Sequence, residues 1–309
     1  MKVPSEQARL RSLSRVLEIR SRTLAALRRF FGERDFLEVE TPARIPVPAL
    51  ELHIEAEPAG DHFLRTSPEF HMKRLLAAGY ERIFQIGPCF RKGERGALHN
   101  PEYTMLEWYR TGADYRDILA DTQALVRAAA QAAAGSTAVK FRGHRIDLAA
   151  EWQRLTVREA FQHAAGWDPL AYYDADRFNT DLVTKVEPSF PPDRPVVLMD
   201  YPAEAAAMSR LQSNNPEVAE RWELYIGGVE LANAFSELTD PVEQRRRMAQ
   251  WSRERSAAGR GTYALDEAFL AALEAGMPPA GGAALGVDRL VVVLAGADSL
   301  DDVLPFREA

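Results

Sequence analysis

Residues 87–110, GPCFRKGERGALHNPEYTMLEWYR, constrain this chain more than any other stretch. They read as a strand, a polar loop and a second strand. Alternation puts Tyr103, Met105, Glu107 and Tyr109 on one side of the second strand, and Thr104, Leu106 and Trp108 on the other. A half-buried structural strand turns charge to water and aromatic rings to the core. Here two tyrosines flank a glutamate on a single face, as a pocket for a flat ring and a cation requires. The loop carries Arg91, Lys92, Glu94, Arg95 and His99, enough cationic donors to hold phosphate. The same pattern also describes a solvated hairpin with a polar outer face, and parity alone leaves both readings open.

The length of 309 residues permits one large domain or two small ones, and 46% hydrophobic content suffices for a substantial core. Thirty-eight Lys and Arg against 45 Asp and Glu, net -7, argue against a broad nucleic-acid surface but allow a local basic site. Cys89 is the single cysteine and sits in an apolar strand, so an intrachain disulfide or a thiolate metal cluster is excluded. The start, MKVPSEQARLRSLSR, has no apolar signal core, and no run approaches a membrane span. A soluble cytoplasmic protein without membrane contact is expected.

From Gln7 to Arg34 apolar residues recur at three- and four-residue steps, predicting one long amphipathic helix; Phe36–Pro42, FLEVETP, then reads as a short strand. Segment 43–60 reads as loop and edge strands. Ser67 followed by Pro68 predicts an N-cap with proline at the first helical position, and Gly79 ends that helix. Glu69 falls in its first turn, where the helix dipole favours a carboxylate with or without a ligand. Residues 115–135 and 151–186 are helical by composition, with a polar strand or turn at 141–148. His144 and His163 have no metal-ligating partner at useful spacing.

VVLMDYP predicts a buried strand, and Trp222–Leu238 a hairpin about Gly227 and Gly228 carrying Glu223 and Glu230. Two such carboxylates suit Mg²⁺ when phosphate oxygens complete its shell. Glu237 has the opposite parity to Glu230, so one shared pocket requires a bulge, expected near Asn233 and Ala234. GMPPAGGAALGVDRLVVVLAG reads as glycine-rich strand, turn and helix, with Arg289 in the first helical turn. Neither a P-loop nor a Rossmann turn is present.

In order and spacing, FLEVETP after a long helix, FRKGERGALHNPEYTMLEWY, and GVDRL after a glycine-rich strand resemble motifs 1, 2 and 3 of the class II aminoacyl-tRNA synthetases. HNPEYTMLEWY and ELANAFSELTD resemble the lysyl branch. The implied fold is α+β, an antiparallel sheet flanked by helices, forming a single catalytic domain over 1–309. Motif 1 lies at about 20–42, motif 2 at about 83–110 and motif 3 at about 281–296. A lysyl-tRNA synthetase carries an anticodon-binding OB fold before motif 1, and none is expected here. TSPEFHMKRLL and GGAALGVDRL without that domain are similar to the free-standing paralogues that join (R)-β-lysine to a lysine of elongation factor P.

That resemblance implies ATP-dependent adenylation of (R)-β-lysine or lysine, transfer to elongation factor P, no anticodon recognition, and a homodimer. It assigns Arg91 to the α-phosphate, His99 to the outer phosphates, Arg289 to the γ-phosphate and Tyr103 to adenine. Arg91 and Arg289 become the catalytic cations. Lys92, Gly93, Glu94, Asn100, Glu230, Leu231 and Gly286 complete the ATP site, and Glu223 and Glu230 hold Mg²⁺. On the amino-acid side Glu69 meets the backbone-type ammonium, Asn233 the carboxylate, and Glu107, Tyr109 and Glu237 the distal ammonium, with Ser67, Pro68 and Ala284 shaping the site.

This chain departs from the family pattern at three places. Arg91-Lys92-Gly93-Glu94 displaces the usual Arg-x-Glu glutamate by one, and alanines stand at 234 and 284 where the synthetase branch has glycine. The extra methyl at 284 favours a β-amino acid. Two other readings share parts of this pattern: an enzyme activating α-lysine for tRNA or a small molecule, and an inactive regulatory module.

Overall fold

The computed structural model describes residues 6–52 and 54–307, so both ends of the expected 1–309 domain lie outside the description. The N-terminal helical pattern holds but is parted at Leu13, giving α1 (Glu6–Ser12) and α2 (Ser14–Gly32). Only α2 buries an apolar face, through Ile19, Ala26, Leu27, Phe30 and Phe31. FLEVETP contributes a strand of two residues, β1 (Leu37–Glu38). The loop that follows bears β2 (Arg44–Ile45), β3 (Pro58–Ala59) and β4 (His62–Leu64), a small sheet of its own.

Next comes α3 (Glu69–Ala77). Pro68 already has helical angles, and Ser67 Oγ accepts the Glu69 N–H at 3.0 Å, so Ser67 caps and Pro68 opens the helix as expected. The long strand pair is β5 (Arg82–Phe90) and β6 (Glu102–Thr111). The alanine-rich helix is α4 (Tyr115–Ala134), opened by an Asp114 capping box and closed at Gly135 with φ +70°. A hairpin follows, β7 (Ala138–Phe141) and β8 (His144–Asp147).

Segment 151–186 is helical only in part: β9 (Gln153–Thr156) precedes α5 (Val157–Ala164) and α6 (Ala175–Asp181). The strand exists because residues 153–156 pair in parallel with the later β10 (Pro195–Pro202), a partner that local composition does not reveal. Then come β11 (Leu211–Gln212), β12 (Asn215–Ile226) and β13 (Val229–Ser236), with Gly227 and Gly228 both at positive φ in the turn. Helices α7 (Pro241–Ala257) and α8 (Glu267–Gly276) precede β14 (Ala280–Gly286) and α9 (Val287–Ala295).

The main sheet runs β1-β5-β6-β14-β13-β12-β10-β9, antiparallel through its centre and parallel at its two ends, β1 with β5 and β9 with β10. Leu106 and Trp108 of β6 are fully buried against residues of α2, α4 and α9. The opposite parity, Met105, Glu107 and Tyr109, lines a cavity. Helices therefore cover one side of the central strands, and their other side carries the polar face. Among the described residues no helix is long and apolar enough to cross a membrane.

Candidate active site

Strand register lays the polar face out in rows. Glu107 of β6 stands opposite Ala284 of β14, Ala284 opposite Asn233 of β13, and Asn233 opposite Glu223 of β12. Two residues along, Tyr109, Gly282, Phe235 and Arg221 form a second row by the same pairings. Directly paired residues share a face. Both rows line one cavity of about 930 Å³, together with Ser67, Glu69, Arg91 and Glu237.

The bulge that the parity of Glu230 and Glu237 requires is present, but at Leu231 rather than near Asn233 and Ala234. Leu224 pairs with Ala232 and Tyr225 with Glu230, so Leu231 is the additional residue. The extra residue flips parity once. Glu230 thereby shares the face of Asn233 and Glu237, while Leu231 is buried in the core.

Glu107 is 2% exposed and accepts from Tyr109 Oη at 2.5 Å and from Ser67 Oγ at 2.8 Å. Burial foremost, then the charge of Glu69, pushes its carboxyl up to about 8. Glu69 and Glu237 are likewise buried and meet at Lys73, a residue to which no role was assigned from the sequence. Burial pushes Glu237 up to about 7, against the pull of Lys73. The missed signal was the four-residue step from Glu69 to Lys73, which places both on one helix face.

On the side expected to take phosphate, Arg91 lines the cavity, and its Nε is buried without a hydrogen-bond partner. Its guanidinium lies over the Tyr103 ring at 5.3 Å and is 3.9 Å from Glu94, so the displaced motif 2 glutamate does reach the arginine. Tyr103 Oη donates to the Thr66 carbonyl at 3.0 Å. Glu51, another unanticipated carboxyl, lines the same cavity and is pushed up to about 7 by burial, against the pull of Arg91.

Arg289 donates to the Glu230 carbonyl at 2.9 Å and to its carboxylate at 3.2 Å, and Nη2 is 2.7 Å from His99 Nε2. Burial and the Arg289 charge lower the His99 pKa, leaving a neutral ring beside the guanidinium. Asn100 serves the loop itself, donating to Glu102 O at 2.6 Å and accepting from Arg307. Lys92 bonds the Glu55 carbonyl through its backbone, and Gly93 takes φ +76° beside it. Gly286 precedes the first turn of α9, and Pro68 that of α3.

Glu223 accepts from Arg221 at 2.5 Å and Tyr225 at 2.7 Å. Burial and then the Glu223 charge raise the pKa of both Glu230 and Glu187. Such crowded carboxylates favour a cation. Among the described residues, no three His, Cys, Asp or Glu side chains gather closely enough to hold a metal alone. Two glutamates fit Mg²⁺ only with phosphate oxygens completing the shell.

This chain belongs to the class II tRNA synthetases of the D, K and N group, whose family model matches residues 5–309. Within that class it is 38% identical to the lysine–tRNA ligase of Chromohalobacter salexigens, over 94% of this chain and 63% of the relative. It is 38% identical to that of Moorella thermoacetica over 95% and 65%, and 36% to that of a Synechococcus strain over 93% and 64%. The chain thus spans 63–65% of the length of these relatives.

Proposed function

We propose that this protein activates a lysine-like amino acid with ATP and transfers it to the ε-amine of a lysine on elongation factor P, with (R)-β-lysine as the favoured substrate. One observation carries the reading. A single cavity holds Arg91, with a buried Nε lacking an acceptor, and three carboxylates suited to ammonium groups, Glu69, Glu107 and Glu237. Phosphate and a basic amino acid would each supply what one half of the cavity lacks.

The substrate carboxylate oxygen attacks the α-phosphorus and pyrophosphate leaves; the acceptor amine then attacks the acyl carbon and AMP leaves. Arg91 neutralises charge that develops on the α-phosphate, and its fixed place beneath the loop avoids reorganisation during reaction. Arg289 exchanges part of its contact with Glu230 for the outer phosphates, beside neutral His99. Adenine shares the Tyr103 ring with Arg91. Glu223 and Glu230 would hold Mg²⁺, which would supply neutralising charge for the phosphates. Asn233, opposite Ala284, orients the amino-acid carboxylate. Burial of Glu107 selects a distal ammonium, because an uncharged chain brings no counter-charge to displace the proton that burial keeps on the carboxyl.

The net charge of -7 supports a protein acceptor over a nucleic acid. A single catalytic domain, a cytoplasmic site of action and a homodimer through motif 1 belong to the same proposal. ATP–pyrophosphate exchange with (R)-β-lysine and α-lysine in parallel, followed by intact mass of elongation factor P, tests it. Exchange and a mass increase of one lysyl group are expected. No exchange with either amino acid overturns the reading in favour of the regulatory module, and exchange without a mass change points to another acceptor, lysine tRNA first. Sedimentation showing a monomer at micromolar concentration counts against the dimer.

A further inference from the structure

Lys73 has no part in the roles above, yet it is fully buried between two of the proposed substrate carboxylates. Its Nζ stands 2.5 Å from Oε1 of Glu69 and 2.6 Å from Oε2 of Glu237. An exposed Glu–Lys pair one turn apart stabilises a helix by only about 0.2–0.5 kcal/mol. A buried ammonium is far costlier to hold, and two carboxylates are needed to keep it charged. Both glutamates line the cavity whereas Lys73 lies behind them. Each therefore turns one oxygen to Lys73, Glu69 Oε1 in a hydrogen bond and Glu237 Oε2 in an ion pair without hydrogen-bond geometry, and retains another. Glu237 Oε1 borders the floor at Gly282, where an added Cβ would come within 2.6 Å of it. Among the described residues, neither that oxygen nor Glu69 Oε2 accepts a hydrogen bond. Glu107 differs, since both its oxygens already accept hydroxyl donors.

We propose that Lys73 is a positioning residue that yokes Glu69 to Glu237 and turns the second oxygen of each toward the two ammonium groups of a diamino substrate. The proposal rests on the lysine-type reading above. It also accounts for charge: once an entering ammonium displaces the proton on Glu107, the carboxylates of Glu69, Glu107 and Glu237 against one internal ammonium balance two further positive charges. Without the yoke, Glu69 and Glu237 repel one another, and Glu107 and Tyr109 from β6 crowd the same space, so a proton takes the place meant for the substrate.

The test uses the full chain with K73M and K73R. Calorimetry with 1,5-diaminopentane and n-pentylamine gives a diamine-to-monoamine affinity ratio, and pyrophosphate exchange gives separate KM values for ATP and lysine. K73M is expected to lower the ratio tenfold or more, roughly the effect of truncating one partner of a buried charge pair. K73R should restore most of the ratio, and the ATP KM should stay within about threefold of the parent value. A folded K73M with a ratio within about threefold of wild type overturns the proposal, even if its melting temperature falls, because Lys73 then serves stability alone. If K73M does not fold, K73R decides: a retained ratio supports the yoke, and a lost ratio with a normal ATP KM overturns it. Wild-type protein that binds neither diamine nor lysine overturns the functional reading and the yoke together, a result distinct from an indifferent variant.

Discussion

Glu107 holds a proton in the folded protein that the unfolded chain would release. Its carboxyl rises from 4.5 to about 8, through burial first and the Glu69 charge second. Between those values the native state binds more protons, so stability from this group is fullest below pH 4.5 and is lost as pH rises through 8. Glu107→Gln removes that penalty. Its melting temperature at pH 8 is expected to exceed wild type by about 2 °C, as about 1 kcal/mol produces in a large domain. Lysine activation should meanwhile fall by about two orders of magnitude. A lower melting temperature at that pH would show the carboxyl ionised and the argument wrong. Ala284, opposite Glu107 and Asn233, tests the other specificity claim. Ala284→Gly removes a methyl worth roughly 1–3 kcal/mol of discrimination and should raise α-lysine exchange relative to (R)-β-lysine; an unchanged ratio sinks that role.

Strands β13 and β14 set the shape of the pocket. The bulge at Leu231 puts Glu230 and Glu237 on one face, and that was legible as a necessity from parity. Its position was not, because Leu, Ala and Asn all fit a strand locally and only the register with β12 selects the displaced residue. Across the floor, a Cβ at Gly282 would overlap the Tyr109 ring and press on Glu237. Gly282→Ala should therefore raise the lysine KM about tenfold or more, an overpacking effect of roughly 1–3 kcal/mol, with the ATP KM nearly unchanged. Equal loss on both substrates would mean that the sheet, rather than the amino-acid side, had been disturbed. Strand β9 illustrates the reverse failure. Residues 153–156 lie in a segment helical by composition, and pairing with Val196–Met199 overrode that preference.

Asp288 ties the three motif regions into one molecule. It is buried at 3% exposure, pairs with Arg20 of α2 at 2.5 Å, and accepts the Thr104 N–H of β6 at 2.8 Å. Arg20 also donates to Thr104 Oγ1 at 2.8 Å. Asp288→Ala leaves the Thr104 amide unpaired and the Arg20 guanidinium without its carboxylate, at a cost of about 3–5 kcal/mol. A melting temperature lower by 6 °C or more is expected, with Asp288→Asn intermediate; a variant as stable as wild type would remove Asp288 from this linking role.

Alternation and local helix-start signals alone determined that Glu107 and Tyr109 share a face opposite Leu106 and Trp108, that Ser67 caps a helix, and that Arg289 lies in the first turn of another. Those features depend on neighbours within a few positions. Only the tertiary structure decided that Lys73 joins Glu69 to Glu237, that Glu51 enters the cavity, and that the β13 bulge falls at Leu231. Each depends on charge pairing or strand register between segments distant in the chain, where burial sets the energy and no local pattern records the partner.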